Sequence, residues 1–173
     1  MHMSRNIRSH FARRLSPLAL LAALALLALP AFVAGHLPDG GGRPFVIAMT
    51  GDEEAPGPGH SEATGTAFLR LNPGQEEVSV VLTFEGFDPN DPAERIAAGH
   101  IHIGQPGVPG PVVVSFEIPG PLPLDEDGSG SFANVVSADR EVILDIIRNP
   151  GDYYVNLHSA NFPPGAIRGQ LSR

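Results

Sequence analysis

The sequence predicts an all-β protein, an antiparallel Greek-key-like β-sandwich or flattened barrel of about eight strands with one short helix. The 20 glycines and 18 prolines of the 173-residue chain interrupt it at short intervals. Between them lie short apolar runs rich in Val, Ile and Phe. Short β-branched segments bounded by turn residues are typical of sandwiches and barrels. One stretch alone has helical periodicity.

Eight segments have the length and composition of strands. The clearest is 77–85, EVSVVLTFE, in which Val78, Val80, Leu82 and Phe84 share one face because side chains alternate along a strand. We predict strands at 44–49, 65–71, 77–85, 96–103, 111–117, 130–136, 152–158 and 165–171.

The helical stretch is SADREVILDIIRNPG, residues 137–151. Ser137 suits the N-cap and Asp139 the first turn, where a negative charge favours the positive end of the helix dipole. Four apolar residues form a stripe at i, i+1, i+4 and i+5. Asn-Pro-Gly ends the helix, which we expect to cover an open end of the sandwich.

The N-terminus has the pattern of a signal peptide. Four arginines precede residue 15, and an apolar run then continues to Gly35. We predict a signal peptide at 1–35, a flexible segment at 36–44 and one domain at 45–173. An uncleaved membrane anchor is the alternative. Cleavage implies export, to a periplasmic, cell-surface or extracellular location, without a membrane association afterwards.

The charge of the chain excludes some partners. Without residues 1–35 it has seven arginines and nineteen acidic residues, a net charge of −12. Nucleic acid and anionic membranes are therefore poor partners, whereas a metal cation is electrostatically suitable. The absence of cysteine excludes disulfides, thiolate nucleophiles and thiolate metal ligands.

Two histidines, His100 and His102, lie one residue apart in AAGHIHIG. On a strand they share one face, and Ile101 and Ile103 share the other. If the isoleucines face the core, both imidazoles point away from it and could chelate one ion.

The C-terminal stretch YYVNLHSANFPPGAIRGQL adds residues to the same face. Alternation places Tyr154, Asn156 and His158 on the face opposite the apolar side chains, and it places Arg168 likewise in the last strand. Three neutral imidazoles suit copper or zinc and leave a coordination position open. His60, in an acidic and Pro-rich loop, is a candidate fourth ligand. Alternatively, the histidines are ordinary polar residues on a solvent-exposed face.

Three stretches, GDEEAPGPGHSEATGTAFLRLNP, AAGHIHIGQPGVPGPVVVSF and GDYYVNLHSANFPPGAIRGQL, together resemble the CHRD domain. This domain is named from chordin and is also found in exported bacterial proteins, so we expect the bacterial exported type. In chordin such domains belong to an extracellular antagonist of growth factors. The resemblance therefore implies a binding module, with an extracellular protein as a candidate partner.

A more distant likeness is to copper/zinc superoxide dismutases, which also place a His-x-His pair on one strand, a third copper-binding histidine on a later strand and an arginine near the C-terminus. By this likeness His100, His102 and His158 would be copper ligands, and Arg168, near Asn156, would attract an anion. The chain lacks the cysteines and the following run of zinc-binding residues. A mononuclear copper or zinc site is therefore expected rather than a bridged pair.

The leading hypothesis is an exported CHRD-domain binding module that holds one copper or zinc ion. A copper redox enzyme resembling superoxide dismutase and a metal-free structural or adhesive domain are the alternatives. We assign no catalytic residue, and the sequence leaves open whether the protein is an enzyme.

Overall fold

Eight antiparallel strands form one sheet in the computed structural model, which describes residues 41–173. The predicted signal peptide at 1–35 and most of the predicted flexible segment lie outside the described residues. No helix in the described part of the chain is long and apolar enough to cross a membrane. The strands are β1 Arg43–Thr50, β2 Thr64–Asn72, β3 Glu77–Glu85, β4 Ile96–Ile103, β5 Val112–Ser115, β6 Gly130–Ser137, β7 Tyr153–Ser159 and β8 Ile167–Gln170.

The sheet has the strand order β5-β4-β7-β8-β1-β2-β3-β6 and curls into a nearly closed barrel. Its edge strands are β5 and β6. Residues 116–124 follow β5 and contact β6 and β4: the Asn134 side chain donates to the Phe116 carbonyl at 3.2 Å, and the Leu122 amide donates to the Ile96 carbonyl at 2.8 Å. The all-β prediction, with eight strands and one helix, is confirmed.

Strand alternation places the core where the sequence predicts it. On β3, Val78, Val80, Leu82 and Phe84 are all buried. On β7 the buried core residues are Tyr153, Val155 and Leu157, so the residues between them lie on the opposite face. This parity determines which side chains of β4, β7 and β8 lie together outside the core.

The helix, α1 Arg140–Arg148, follows β6. Ile143 and Ile146 are buried in the core, as the apolar stripe predicts. The predicted N-cap is wrong: the cap is Asp139, and Ser137 is the last residue of β6. Ser137 is paired with Glu77 of β3, and the next amide, of Ala138, donates to the Glu76 carbonyl. Pairing with β3 therefore keeps Ser137 in an extended conformation, so that it cannot cap the helix, which begins after Asp139.

Candidate metal centre

Strand pairing brings the three predicted histidines together. β7 pairs with β4, with His158 opposite Ala98 and Asn156 opposite His100. His158 is thus a diagonal neighbour of His100, and residues at this spacing on one face are within reach of one another. His102 follows on the same face of β4, because it lies two residues beyond His100. β4, β7 and β8 are consecutive in the sheet although they are distant in sequence.

The three imidazoles form a compact group. Ring centroids are separated by 5.1 Å between His100 and His158, 5.4 Å between His100 and His102, and 5.9 Å between His102 and His158. One ring nitrogen of each lies within 4.8 Å of the others. The prediction that the three histidines converge is confirmed. We refer to them below as the histidine triad.

Hydrogen bonds to backbone carbonyls fix two of the three rings. His102 Nδ1 lies 2.9 Å from the Gly110 carbonyl oxygen, and His158 Nδ1 lies 3.1 Å from that of Pro163. A carbonyl only accepts, so in both neutral rings Nδ1 carries the proton and Nε2 carries the lone pair. Those two Nε2 atoms, and Nδ1 of His100, are buried without a hydrogen-bond partner among the described residues.

The environment keeps the triad neutral. Burial, followed by the proximity of His158 and His102, lowers the pKa of His100 to about 4. Burial also lowers the pKa of His102 and of His158, although the carbonyls of Gly110 and Pro163 oppose this effect. Neutral imidazoles have lone pairs free for a Lewis acid, and protons compete little for them near pH 7.

The face that bears the triad is covered, which corrects the expectation of an outward surface. Asn156 is 2 % exposed and Arg168 1 %. The loop 104–110 contributes the carbonyl that binds His102 and that of Gln105, to which Arg168 Nη2 donates at 2.9 Å. Alternation identifies the face that a side chain occupies but not whether a loop lies over it. Ile103, expected to share a core-facing side with Ile101, is instead 37 % exposed at the end of β4.

Tyr154 lies between the triad and Arg168. Its ring stacks on His102, with centroids 4.9 Å apart and planes 8° from parallel, and the Arg168 guanidinium lies 3.4 Å from its centroid. Its hydroxyl accepts from the Gly110 amide at 3.1 Å. Alternation placed Tyr154 on this face, but nothing in the sequence indicated that it would separate a histidine from the arginine.

Glu54 is a member of the buried cluster that sequence reasoning missed. It is 8 % exposed, and its Oε2 accepts from Asn156 Nδ2 at 3.3 Å. Asn156 Nδ2 also donates to the Pro164 carbonyl at 3.3 Å. In the sequence Glu54 is the last of three consecutive acidic residues, and no signal distinguishes it from Asp52 and Glu53, both of which are exposed.

His60 has other contacts and is not part of the triad group. Its Nδ1 accepts from the amides of Glu62 and Ala63, at 3.2 and 3.0 Å, and its Nε2 lies 3.3 Å from Glu94 Oε2. The ring packs against Phe87 and Phe162. The structure therefore places this candidate fourth ligand in a separate set of interactions.

The cluster contains six buried polar atoms without a partner among the described residues. A buried polar atom left unpaired costs about 1–3 kcal/mol, so these six clustered atoms require partners other than protein groups, which ordered water or a bound ligand would supply. Three nitrogens bonded to one copper or zinc ion at 2.0–2.1 Å lie about 3.3–3.6 Å apart in tetrahedral or trigonal geometry, so the ring nitrogens, which lie within 4.8 Å of one another, would converge by at most about 1.5 Å. The donor set fits either ion. The six atoms are His100 Nδ1, His102 Nε2, His158 Nε2, Glu54 Oε1, Asn156 Oδ1 and Arg168 Nη1.

The model of the CHRD domain matches residues 45–171. No curated protein matches the chain significantly.

Proposed function

The chain belongs to the CHRD domain family, and from this premise we propose that the protein is an exported module that holds a single copper or zinc ion through His100, His102 and His158. One observation carries the proposal: three neutral imidazoles converge, each with a buried and unpartnered ring nitrogen. Export is proposed from the signal-peptide pattern of residues 1–35.

The ligand atoms we propose are Nδ1 of His100 and Nε2 of His102 and His158. A bound ion would supply Lewis acidity at an open coordination position and, if it is copper, one-electron redox chemistry. The protein supplies the positioning. Gly110 and Pro163 hold two imidazoles in the required tautomer and orientation, which is the usual role of a carbonyl behind a histidine ligand.

Metal titration of single histidine variants tests the proposal. We expect the purified protein to bind one zinc or copper ion per chain, and His102→Ala or His158→Ala to weaken binding by about 100-fold or more, since loss of a ligand should exceed the 10–100-fold effect of its supporting residues. His60→Ala is the matched control and should leave the affinity unchanged. Competition with a chromophoric chelator measures these affinities. A protein that binds no stoichiometric metal, or an equal loss in His60→Ala, would contradict the proposal.

A change at Gly110 should weaken both the fold and the site. A Cβ at this position would overlap the carbonyl oxygen of Ile103, a backbone atom that cannot easily move. Gly110→Ala should therefore shift the loop that supports His102, lowering the free energy of unfolding by about 2 kcal/mol and metal affinity by at least about tenfold. Denaturant unfolding and the same chelator assay measure the two effects.

The control for Gly110→Ala is Gly151→Ala. A Cβ there meets no atom within 4 Å, so both quantities should be nearly unchanged. If the two variants behave alike, Gly110 has no special supporting role.

A second candidate, copper redox chemistry of the superoxide dismutase type, is favoured by Arg168. Its Nη1 is buried and unpartnered, and its positive charge contributes to lowering the pKa of His102 from the far side of the Tyr154 ring. A guanidinium in this position suits a small anion. Superoxide consumption by the copper-loaded protein is the test. A fully loaded protein without turnover would exclude this candidate and leave the metal-holding role.

A further inference from the structure

Glu54 occupies a site shaped around its side chain. A Cβ on Gly165 would overlap the carboxylate, and one on Gly59 would overlap its stem. Gly165 also has a φ of +155°, which side-chain-bearing residues rarely adopt. The carboxyl group is thus enclosed by backbone, with Oε2 bonded to Asn156 and Oε1 unpartnered.

Asn156 connects this carboxyl group to the triad. In register across three neighbouring strands, Asn156 lies between His100 of β4 and Arg168 of β8. Neighbouring strands are about 4.8 Å apart, so a carboxyl group bonded to the middle residue stands within about 10 Å of the triad nitrogens. At an effective dielectric constant of about 20, a divalent cation and a carboxylate still interact strongly at that distance.

Glu54 retains its proton below about pH 7 although a cation is nearby. Burial raises its pKa to about 7, against the opposing effects of the Asn156 hydrogen bond and the charge of Arg168. Among the described residues no oxygen of Glu54 lies within ion-pair distance of Arg168. Of the titratable and charged residues around it, Asp52 and Glu53 on its own turn are exposed, and His60 is directed at Glu94. Arg168 acts on it through its charge, and the three triad histidines lie on β4 and β7, the strands that Asn156 joins in register.

We propose that Glu54 is the charge-compensating acid of the site, which releases its proton to solvent when the triad takes up a divalent cation. The inference rests on the proposed function. The carboxylic acid O–H bond breaks, the proton leaves to water, and the carboxylate that remains offsets part of the added charge. Metal uptake at this site is therefore linked to pH through a residue that is not itself a ligand.

The direction of the pH dependence of metal binding follows from comparing the metal-free with the metal-bound protein. A bound cation favours ionised Glu54, so binding below pH 7 expels a proton and affinity falls as pH falls. The pKa values of all three histidines are lowered from 6.5, that of His100 to about 4, so competition by protons at the triad decreases above pH 6, and Glu54→Gln, which keeps the triad, measures what remains of it. Zinc affinity should rise about fivefold from pH 6 to pH 7 and about twofold more from pH 7 to pH 8, a profile that reports the ionisation of Glu54.

The experiment is a zinc titration of the full chain at pH 6, 7 and 8, with the wild type, Glu54→Gln and Glu53→Gln. Glu54→Gln should bind zinc with an affinity that changes less than about twofold over this range, meeting the wild type at low pH and falling below it at pH 8. Glu53→Gln, which alters an exposed neighbour, should keep the wild-type slope.

Calorimetry of the wild type in buffers of different ionisation enthalpy gives a second measurement that needs no variant. About 0.9 protons should be released per zinc at pH 6 and about 0.1 at pH 8. If zinc binds but the slope persists in Glu54→Gln, or no proton is released at pH 6, the role of Glu54 is overturned and the metal site stands. If zinc does not bind to the wild type at any pH, the metal site itself fails.

Discussion

Arg168→Ala is expected to lower the free energy of unfolding by about 3–5 kcal/mol, the range for truncating a large buried side chain. Arg168 is the largest fully buried side chain of the described residues, at 1 % exposure. The change removes the hydrogen bond to the Gln105 carbonyl, the stacking of the guanidinium on Tyr154 and the packing of a long apolar stem. Denaturant unfolding measures the loss.

Two further variants show what Arg168 contributes. Arg168→Lys keeps the charge but loses the planar stack and the forked donors, so it should recover only part of the stability. Arg43→Ala is the matched control, because Arg43 is exposed and its guanidinium lies 5.9 Å from the Phe45 centroid. A loss below about 1 kcal/mol in Arg168→Ala, or full recovery in Arg168→Lys, would show that the buried contacts of the guanidinium do not stabilise the fold.

Strand parity made the triad predictable. The bounds of β3 and β4 match the predicted segments, and a strand whose ends are known assigns each side chain to a face. The apolar residues Ile101, Val155 and Ile167 then identify the core side without reference to tertiary structure. His100, His102 and His158 had to lie opposite, and adjacency of their strands was the one assumption needed.

The burial of the triad and the paths of the loops that cover it could not be predicted in the same way. The residues over the triad belong to the segments 51–60, 104–110 and 160–165, which are rich in Gly and Pro and have no periodicity to interpret. Their paths depend on single tertiary contacts, such as that of the His60 amide with the Ala166 carbonyl at 2.8 Å. The burial of Glu54 depends on these loop conformations, which neither secondary-structure propensity nor residue spacing predicts.

Glu54→Gln should make the metal-free protein more stable by about 3 kcal/mol at pH 8 and by less than about 1 kcal/mol at pH 5. The pKa of Glu54 in the folded protein is about 7, against an ordinary value of 4.5. The folded state therefore binds the proton more tightly than the unfolded state, and the stability this contributes is present below pH 4.5 and is lost as pH rises through 7. Above pH 7 the wild type holds a buried carboxylate that glutamine replaces with a neutral amide. The rise in the pKa of Glu54 from 4.5 to about 7 corresponds to about 3 kcal/mol in the free energy of unfolding.

Comparison of the wild type with Glu54→Gln separates the effect of Glu54 on stability from that of the other acidic residues. Asp127 and Asp145 are exposed and Asp91 is partly exposed. Hydrogen bonds from their neighbours lower the pKa values of all three, so they destabilise the fold only at acidic pH and do so equally in both proteins. Urea unfolding from pH 5 to pH 8 gives the difference in stability directly. Glu53→Gln should show no such rise. A difference between wild type and Glu54→Gln that does not grow across this range would mean that Glu54 is ionised in the folded protein at pH 5, and that burial does not hold its proton.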